Sequence, residues 1–193
     1  MRGIHTGEWT AHIFEYAMSF EGNMTQVREL AAANGVGVLH PHGALATDPP
    51  GLIVCDVDST VTRTEAIDLL AECAGKADEV REITARAMVG ELDFTQSLYA
   101  RVRCLEGLHI GALEEAWKAT VITPGTAELV AAAHDVGAAV GLVSGGFTAI
   151  VDPLAEQIRA DFAASNELEI VDNHLTGRVV GDIIDRAAKA TWL

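Results

Sequence analysis

The sequence predicts an α/β protein with a doubly wound parallel sheet and an inserted helical bundle. Residues 52–60, LIVCDVDST, are a run of strand-forming apolar residues that ends in two aspartates. Residues 138–147, AAVGLVSGGF, form a second apolar run that ends in small polar residues. About fifty residues with helical periodicity separate the two runs, which is longer than an ordinary crossover connection and indicates an inserted bundle.

The first fifty residues carry no assignable chemical motif. We expect an amphipathic helix from Trp9 to Phe20, a second helix from Thr25 to Asn34 and a short strand from Val36 to Leu39. The segment 40–51, HPHGALATDPPG, is rich in proline, glycine and small residues, which is typical of a linker. We therefore predict an accessory remnant with a linker at 1–50 and a core domain at 51–193.

The end of the first predicted strand carries Asp56 and Asp58. Because side chains alternate along a strand, these two carboxylates face one side and Val57 faces the other. Such a pair can divide phosphoryl transfer, with one acid attacking phosphorus or holding a cation and the other handling a proton. An acidic cap at the strand end, without chemistry, is the alternative.

Residues 62–118 show three apolar stripes at helical spacing, which predict the helical insertion. We expect it to lie over the carboxyl end of the first strand as a cap. The stripes contain Ile67, Leu70 and Ala74, then Val80, Ile83 and Ala87, then Phe94, Leu98, Val102 and Leu105.

After the insertion, Thr123-Pro124-Gly125 predicts a helix start with Thr123 as N-cap, and Gly137 predicts its end. The second strand follows, and then a helix from Phe147 to about Ile158. The alternating segments around Asp172-Asn173-His174 predict a β-hairpin, and a further helix begins at Arg186.

The second strand ends in Ser144, Gly145 and Gly146. In a parallel α/β sheet ligands bind at the carboxyl ends of the strands, so these residues are expected near Asp56 and Asp58. A hydroxyl, free backbone N–H groups and the start of the next helix would together hold an anion. The alternative for Gly145 and Gly146 is that they only form a tight turn. Lys189, taken alone, would be interpreted as an ordinary surface lysine.

Composition limits the partners. The 193-residue chain is 49% hydrophobic and has a formal net charge of −15, which argues against nucleic acid and acidic membrane surfaces. Neither a signal peptide nor a membrane-spanning apolar stretch is found, so a cytoplasmic location is expected. Cys55, Cys73 and Cys104 are widely spaced and are predicted to be reduced thiols in the core.

Five features of the sequence occur together: DVDST at 56–60, Glu65, GELDFTQSLYARVRCLEG at 90–107, SGGF at 144–147 and GRVVGDIIDRAAKA at 177–190. On these features the sequence, from about Leu52 to Leu193, resembles the phosphoserine phosphatase family of the haloacid dehalogenase superfamily. Ser59 stands where the superfamily more commonly has glycine. The fold implied is a haloacid-dehalogenase-like, Rossmann-like core with a helical cap.

The resemblance implies Mg²⁺-dependent hydrolysis of O-phospho-L-serine to L-serine and phosphate, the last step of serine biosynthesis. Asp56 would be the nucleophile and Asp58 the general acid and base, with Mg²⁺ on the Asp56 carboxylate and the Asp58 main-chain carbonyl. Other roles are implied for the substrate-binding residues: Glu65 for the ammonium, Arg101 for the carboxylate, Ser144, Gly145 and Lys189 for the phosphate, and Met88 and Phe94 for excluding water. A place in the helical core is the alternative for Met88 and Phe94.

The family's later acidic motif, which completes the metal shell, is not found before Leu193, so the chain resembles a truncated phosphatase. We expect its activity to be at least ~100-fold below that of a chain carrying the motif. Another small-molecule phosphatase or phosphotransferase of the superfamily, and an inactive chain that only binds phosphate or a partner, remain alternatives. A homodimer is also left open.

Overall fold

The computed structural model of the protein describes residues 2–5, 10–13, 23–39, 43–44 and 47–191. The chain divides into two compact units, Met1–Pro50 and Gly51–Leu193. In the first unit, β1 (Arg2–His5) pairs antiparallel with β2 (Thr10–Ile13), and α1 spans Met24–Ala33. The side chain of Asn23 caps α1 by accepting a hydrogen bond from the Thr25 N–H at 2.9 Å.

Sequence expectations for this unit had mixed outcomes. The helix expected at Thr25 to Asn34 is confirmed by α1, whereas Val36 to Leu39 contain no strand. The helix expected from Trp9 is wrong at Thr10–Ile13, which are β2, and the rest of that prediction lies outside the described residues. Strand pairing with β1 supplies Thr10–Ile13 with backbone hydrogen bonds that the helical pattern alone could not anticipate.

The second unit contains a four-stranded sheet. Its order is β3 (Leu52–Cys55), β4 (Ala139–Phe147), β5 (Phe162–Val171) and β6 (His174–Val180). The pairs β3–β4 and β4–β5 are parallel, and the antiparallel pair β5–β6 confirms the predicted hairpin. Asp172 and Asn173 both have positive φ at its turn, as a two-residue hairpin with the twist of its strands requires.

Four helices occupy the segment between β3 and β4. They are α2 (Ala66–Cys73), α3 (Ala77–Met88), α4 (Phe94–Arg103) and α5 (Gly111–Ala119). The predicted parallel α/β fold with a helical insertion is confirmed. The remaining helices are α6 (Thr126–Asp135), α7 (Thr148–Ile158) and α8 (Arg186–Thr191). Across the described ranges, every helix is too short or too polar to cross a lipid bilayer.

Two apolar clusters stabilise this unit. One joins the inserted helices to the hairpin and to the end of β4, and it includes Leu70, Leu98, Leu105, Phe147 and Leu175. The other packs α6 and α7 on the sheet and includes Val130, Leu142, Val151, Leu154 and Ile158. Each fully buried side chain of this size contributes about 1.5–3 kcal/mol. Because Phe147 ends β4 yet packs among the cap helices, the first cluster joins the cap to the sheet.

The start of α6 differs from the prediction. Gly125, in the left-handed conformation with φ 92°, precedes the helix instead of Thr123. Thr123 is engaged elsewhere, because its N–H donates to the Val61 carbonyl at 2.9 Å and its hydroxyl donates to the Thr60 carbonyl at 2.8 Å. These bonds attach the approach to α6 to the turn that follows β3.

The cysteines are free thiols, but only part of the prediction for them is correct. Cys73 is exposed, and Cys55 and Cys104 are half-buried. Burial raises the pKa of Cys55 and of Cys104, which favours the thiol over the thiolate. The core position expected for Cys73 is wrong because Cys73 lies on the outer side of α2.

Candidate active site

The chain turns sharply where β3 ends. Asp56 accepts a hydrogen bond from the Val57 N–H at 3.0 Å, and residues 57–61 form a tight turn that is closed by Thr62. Asp58 (φ −59°, ψ 130°) and Ser59 (φ 55°, ψ 15°) leave the helical conformation inside that turn. Val57 is buried below it, so the two carboxylates share the opposite side, as alternation predicts.

Asp56 is accessible and paired. Its side chain is 50% exposed, and its Oδ1 atom lies 2.6 Å from the Nζ atom of Lys189. Lys189 lies on α8, which is 133 residues further along the chain. Tertiary folding therefore places a cation beside the acid that the sequence predicts to be a nucleophile.

Asp58 has a different environment. Its pKa is raised to about 6, mainly by burial and to a smaller extent by the negative charges of Glu65 and Asp56. The Ala66 N–H, which donates to Oδ1 at 2.9 Å, opposes the shift. A carboxyl group with this pKa can both give and take a proton near neutral pH. The same hydrogen bond satisfies an N–H group at the start of α2, so Asp58 also caps that helix.

The end of β4 faces these acids. Ser144 is fully buried, and its Oγ atom accepts a hydrogen bond from the Gly146 N–H at 2.9 Å. A Cβ atom at Gly146 would lie 2.6 Å from Oδ2 of Asp58, and one at Gly145 would lie 2.7 Å from the Phe94 ring. A Cβ atom at either position would displace a side chain of the site, so close approach rather than turn geometry favours glycine at both.

The two strand ends and the cap enclose one cleft of about 200 Å³. It brings together seven of the nine predicted site residues. Its lining consists of Asp56, Asp58, Glu65, Ile67, Phe94, Leu98, Arg101, Gly145, Gly146, Phe147 and Lys189. Ser144 lies just behind this wall, where it contacts Gly146.

Met88 is the predicted site residue that the structure does not bring to the cleft. It is the last residue of α3 and is 84% exposed, so its alternative place in the helical core is wrong as well. Phe94 does line the cleft and is 41% exposed.

The cap contributes opposite charges. Glu65 precedes α2, and Arg101 lies in the last turn of α4, where its Nε atom donates to the Ser97 carbonyl at 3.3 Å. Burial lowers the pKa of Arg101, and the negative charges of Asp68, Glu65 and Asp58 counteract this effect. The cleft thus presents a carboxylate and a guanidinium group on the cap side, and two carboxylates and an ammonium group on the core side.

Sequence analysis missed Asn166. This residue of β5 is 1% exposed, its Nδ2 atom donates to the Gly145 carbonyl at 2.9 Å, and its Oδ1 atom accepts from the Ile184 N–H at 2.8 Å. It therefore joins the end of β4 to the segment that leads into α8 and Lys189. An asparagine inside an apolar strand pattern was the available signal, because a buried amide requires partners.

Known proteins resemble the same segment of the chain. A family model described as haloacid dehalogenase-like hydrolase matches residues 53–193. The phosphoserine phosphatase of Streptomyces coelicolor is 49% identical over 163 residues, which are 84% of this chain and 40% of that protein. Phosphoserine phosphatase SerB2 of Mycobacterium tuberculosis is 45% identical over 86% of this chain and 40% of its own length. The chain thus spans well under half the length of these two relatives.

Solved structures show the same likeness. A structure described as a phospho-aspartyl intermediate analogue of phosphoserine phosphatase matches with a TM-score of 0.70 and 39% identity, over 75% of this chain and 69% of that one. A substrate-bound phosphoserine phosphatase complex matches with a TM-score of 0.70 and 38% identity, over the same shares of the two chains.

Proposed function

Because this chain belongs to the haloacid dehalogenase-like hydrolase family, we propose that it hydrolyses O-phospho-L-serine to L-serine and phosphate. One observation carries the proposal. A single small cleft places Asp56, Asp58 and Lys189 on its core side and the opposite charges of Glu65 and Arg101 on its cap side. A phosphomonoester that carries both an ammonium and a carboxylate is complementary to this arrangement.

Asp56 is proposed as the nucleophile. Its exposed carboxylate attacks phosphorus, the bond from phosphorus to the serine oxygen breaks, and an aspartyl-phosphate forms. Lys189 at 2.6 Å from Oδ1 supports this role, because a cation there lowers the repulsion between a carboxylate and an incoming phosphate dianion. A phospho-aspartyl intermediate analogue of a phosphoserine phosphatase that is 39% identical to this chain gives further support.

Asp58 is proposed as the general acid and base. In its protonated form it gives a proton to the departing serine oxygen, and as a carboxylate it then takes a proton from the water that attacks phosphorus. That attack breaks the bond from Asp56 to phosphorus and releases phosphate. The pKa of about 6 suits both steps, because neither form of Asp58 is strongly disfavoured near neutral pH.

The end of β4 is proposed to hold the phosphate oxygens. Gly145 and Gly146 line the cleft with their backbone because neither has a side chain. Ser144 orients this segment through its bond with Gly146, and Asn166 does so through its bond with Gly145. On the cap side, Glu65 would take the substrate ammonium, Arg101 would pair with its carboxylate, and Phe94 would exclude water.

Mg²⁺ is the proposed cofactor. The half-exposed Asp56 carboxylate and the main-chain carbonyl of Asp58 are oxygen donors of the kind this hard cation prefers. Within the described residues, groups of three or more acidic, histidine or cysteine side chains that could hold a metal are not found, so water would complete the shell. When bound, the cation would neutralise charge on the transferring phosphoryl group.

A substrate series tests the proposal. Phosphate release is measured in the presence of Mg²⁺ with phosphoserine, with phosphoethanolamine, which lacks the carboxylate, and with 3-phosphonooxypropanoate, which lacks the ammonium. We expect phosphoserine to have the highest kcat/KM. Equal rates on all three would favour another small-molecule phosphatase, and no release from any of them would favour a chain that only binds phosphate or a partner.

A cytoplasmic location and a homodimer remain predictions. Light scattering would check the homodimer.

Arg101→Ala sharpens this test. It is expected to lower kcat/KM for phosphoserine at least ~10-fold more than that for phosphoethanolamine, because a site built for a charged group is penalised when the pair is lost. Arg103→Ala is the matched control, since Arg103 is an exposed arginine of the same helix that does not line the cleft. An equal loss on both substrates would contradict the role of Arg101.

A further inference from the structure

Ser59 has an unusual backbone conformation for its residue type. Its φ of 55° and ψ of 15° lie in the left-handed region, which is unfavourable for a residue with a Cβ atom and which glycine adopts without cost. Asp172 and Asn173 share this conformation, but they form the turn of the β-hairpin, where it is expected. Ser59 instead lies in the turn that carries the two reactive acids.

The side chain of Ser59 has a specific partner. Its hydroxyl donates to Oε1 of Glu65 at 2.5 Å. Glu65 precedes α2, but its side chain makes no capping hydrogen bond to that helix, and the Ala66 N–H donates to Asp58 instead. The carboxylate of Glu65 is therefore held by Ser59 rather than by its own helix.

We infer that Ser59 is a positioning residue that fixes the Glu65 carboxylate for recognition of a substrate ammonium group. The inference rests on the proposed function and adds a residue to it. A glutamate side chain has several rotatable bonds, and its ordering on binding lowers affinity unless it is ordered beforehand. A hydrogen bond from the adjacent turn supplies this order, and it also links the ammonium site to the turn of Asp56 and Asp58.

Ser59→Gly separates this role from a structural one. Glycine is suited to the left-handed backbone, so the fold is expected to keep its thermal midpoint or to gain, while the bond to Glu65 is lost. Affinity for phosphoserine is measured by titration calorimetry with Mg²⁺ in an Asp56→Asn background, which does not turn the substrate over, and it should fall about 5–10-fold, the size expected for one lost hydrogen bond. Affinity for 3-phosphonooxypropanoate should stay within about 2-fold, because that ester has no ammonium.

Two further variants serve as controls. Ser59→Asn keeps an N–H donor on a residue that tolerates the left-handed region, and it should recover most of the affinity for phosphoserine. Asn173→Gly makes the same kind of backbone change in the hairpin turn and should alter neither affinity.

The outcomes distinguish two failures. If the unmutated protein prefers phosphoserine over 3-phosphonooxypropanoate and the Ser59→Gly variant keeps that preference, the inference is wrong and the proposed function stands. The inference is also wrong if Ser59→Gly weakens the binding of both esters equally. If the unmutated protein binds both esters alike or binds neither, the proposed function fails and the positioning role fails with it.

Discussion

The ends of β3 and β4 lie side by side, but they differ in what they contribute to the site. At the end of β3 the chain carries ionisable side chains on an irregular turn, and Asp56 is half-exposed. At the end of β4 the chain is almost completely buried, and its contribution is backbone shape with one hidden hydroxyl, that of Ser144. The first end can supply reagents because it is accessible, and the second can supply a fixed surface because it is packed.

This contrast predicts how each end responds to mutation. At the β3 end, replacing one carboxylate by an amide should abolish turnover without unfolding the protein. At the β4 end, adding a single methyl group should remove activity by displacing neighbours. Four substitutions can break or sharpen this contrast, and Asp56→Asn has the largest expected effect.

Asp56→Asn at the β3 end should abolish turnover, with a loss of about 10⁴-fold or more, which is typical for removal of a nucleophile. The acid-labile phosphoenzyme should disappear with it. Phosphate release and mass spectrometry of the trapped protein check both effects, and circular dichroism checks folding. Phosphate found on Asp58, or on no residue of the unmutated protein, would contradict the assignment.

Gly146→Ala at the β4 end should lower kcat about 100-fold by moving a catalytic group out of alignment. The reason is the 2.6 Å approach of the new Cβ atom to Oδ2 of Asp58. Gly51→Ala is the matched control, because a Cβ atom there meets nothing within 4 Å. Comparable activity of the two variants would show that the β4 end can move to accommodate the added methyl group and is therefore not a rigid surface.

Ser144→Ala should have a smaller effect of about 10-fold on kcat/KM. The variant leaves the Gly146 N–H without its partner at 2.9 Å, so the phosphate-holding segment loses orientation while its shape is kept. Steady-state kinetics with phosphoserine, beside a thermal unfolding scan, measure this effect. A loss as large as that of Asp56→Asn would mean that Ser144 takes part in the chemistry itself.

Asp58→Asn should change stability in a pH-dependent way when no metal is present. The folded-state pKa of about 6 lies above the ordinary value of 3.8, so the protonated form is favoured by folding. This stabilisation is complete below about pH 4 and is lost as the pH rises through about 6. Asparagine is always neutral, so the variant should gain about 1–3 kcal/mol at pH 8 and nothing at pH 4.

Denaturant unfolding in EDTA at the two pH values measures this gain. The Asn side chain can still accept the hydrogen bond from the Ala66 N–H, so the helix cap is preserved in the variant. An equal change in stability at both pH values would show that Asp58 is not destabilised as a buried carboxylate.

Local sequence pattern was sufficient for much of this protein. The strand before Asp56, the strand before Ser144 and the hairpin at Asp172 and Asn173 were all predictable, because apolar runs and turn residues report on nearby backbone. The juxtaposition of Asp56, Asp58 and Gly145 followed from the rule that ligands bind at the carboxyl ends of parallel strands. The helix start expected at Thr123 failed because long-range bonds to Thr60 and Val61 competed with its capping role.

What the sequence by itself determined is therefore the parallel α/β class, the cap and the two strand ends that meet. The elements follow from patterns among residues close in the chain, and the meeting of the strand ends follows from the general rule for parallel α/β sheets. Only the tertiary structure decided that Lys189 pairs with Asp56, that Asn166 joins Gly145 to the approach of α8, and that Met88 stays outside the cleft. These features depend on distances between elements far apart in the chain, and neither residue type nor periodicity encodes such distances.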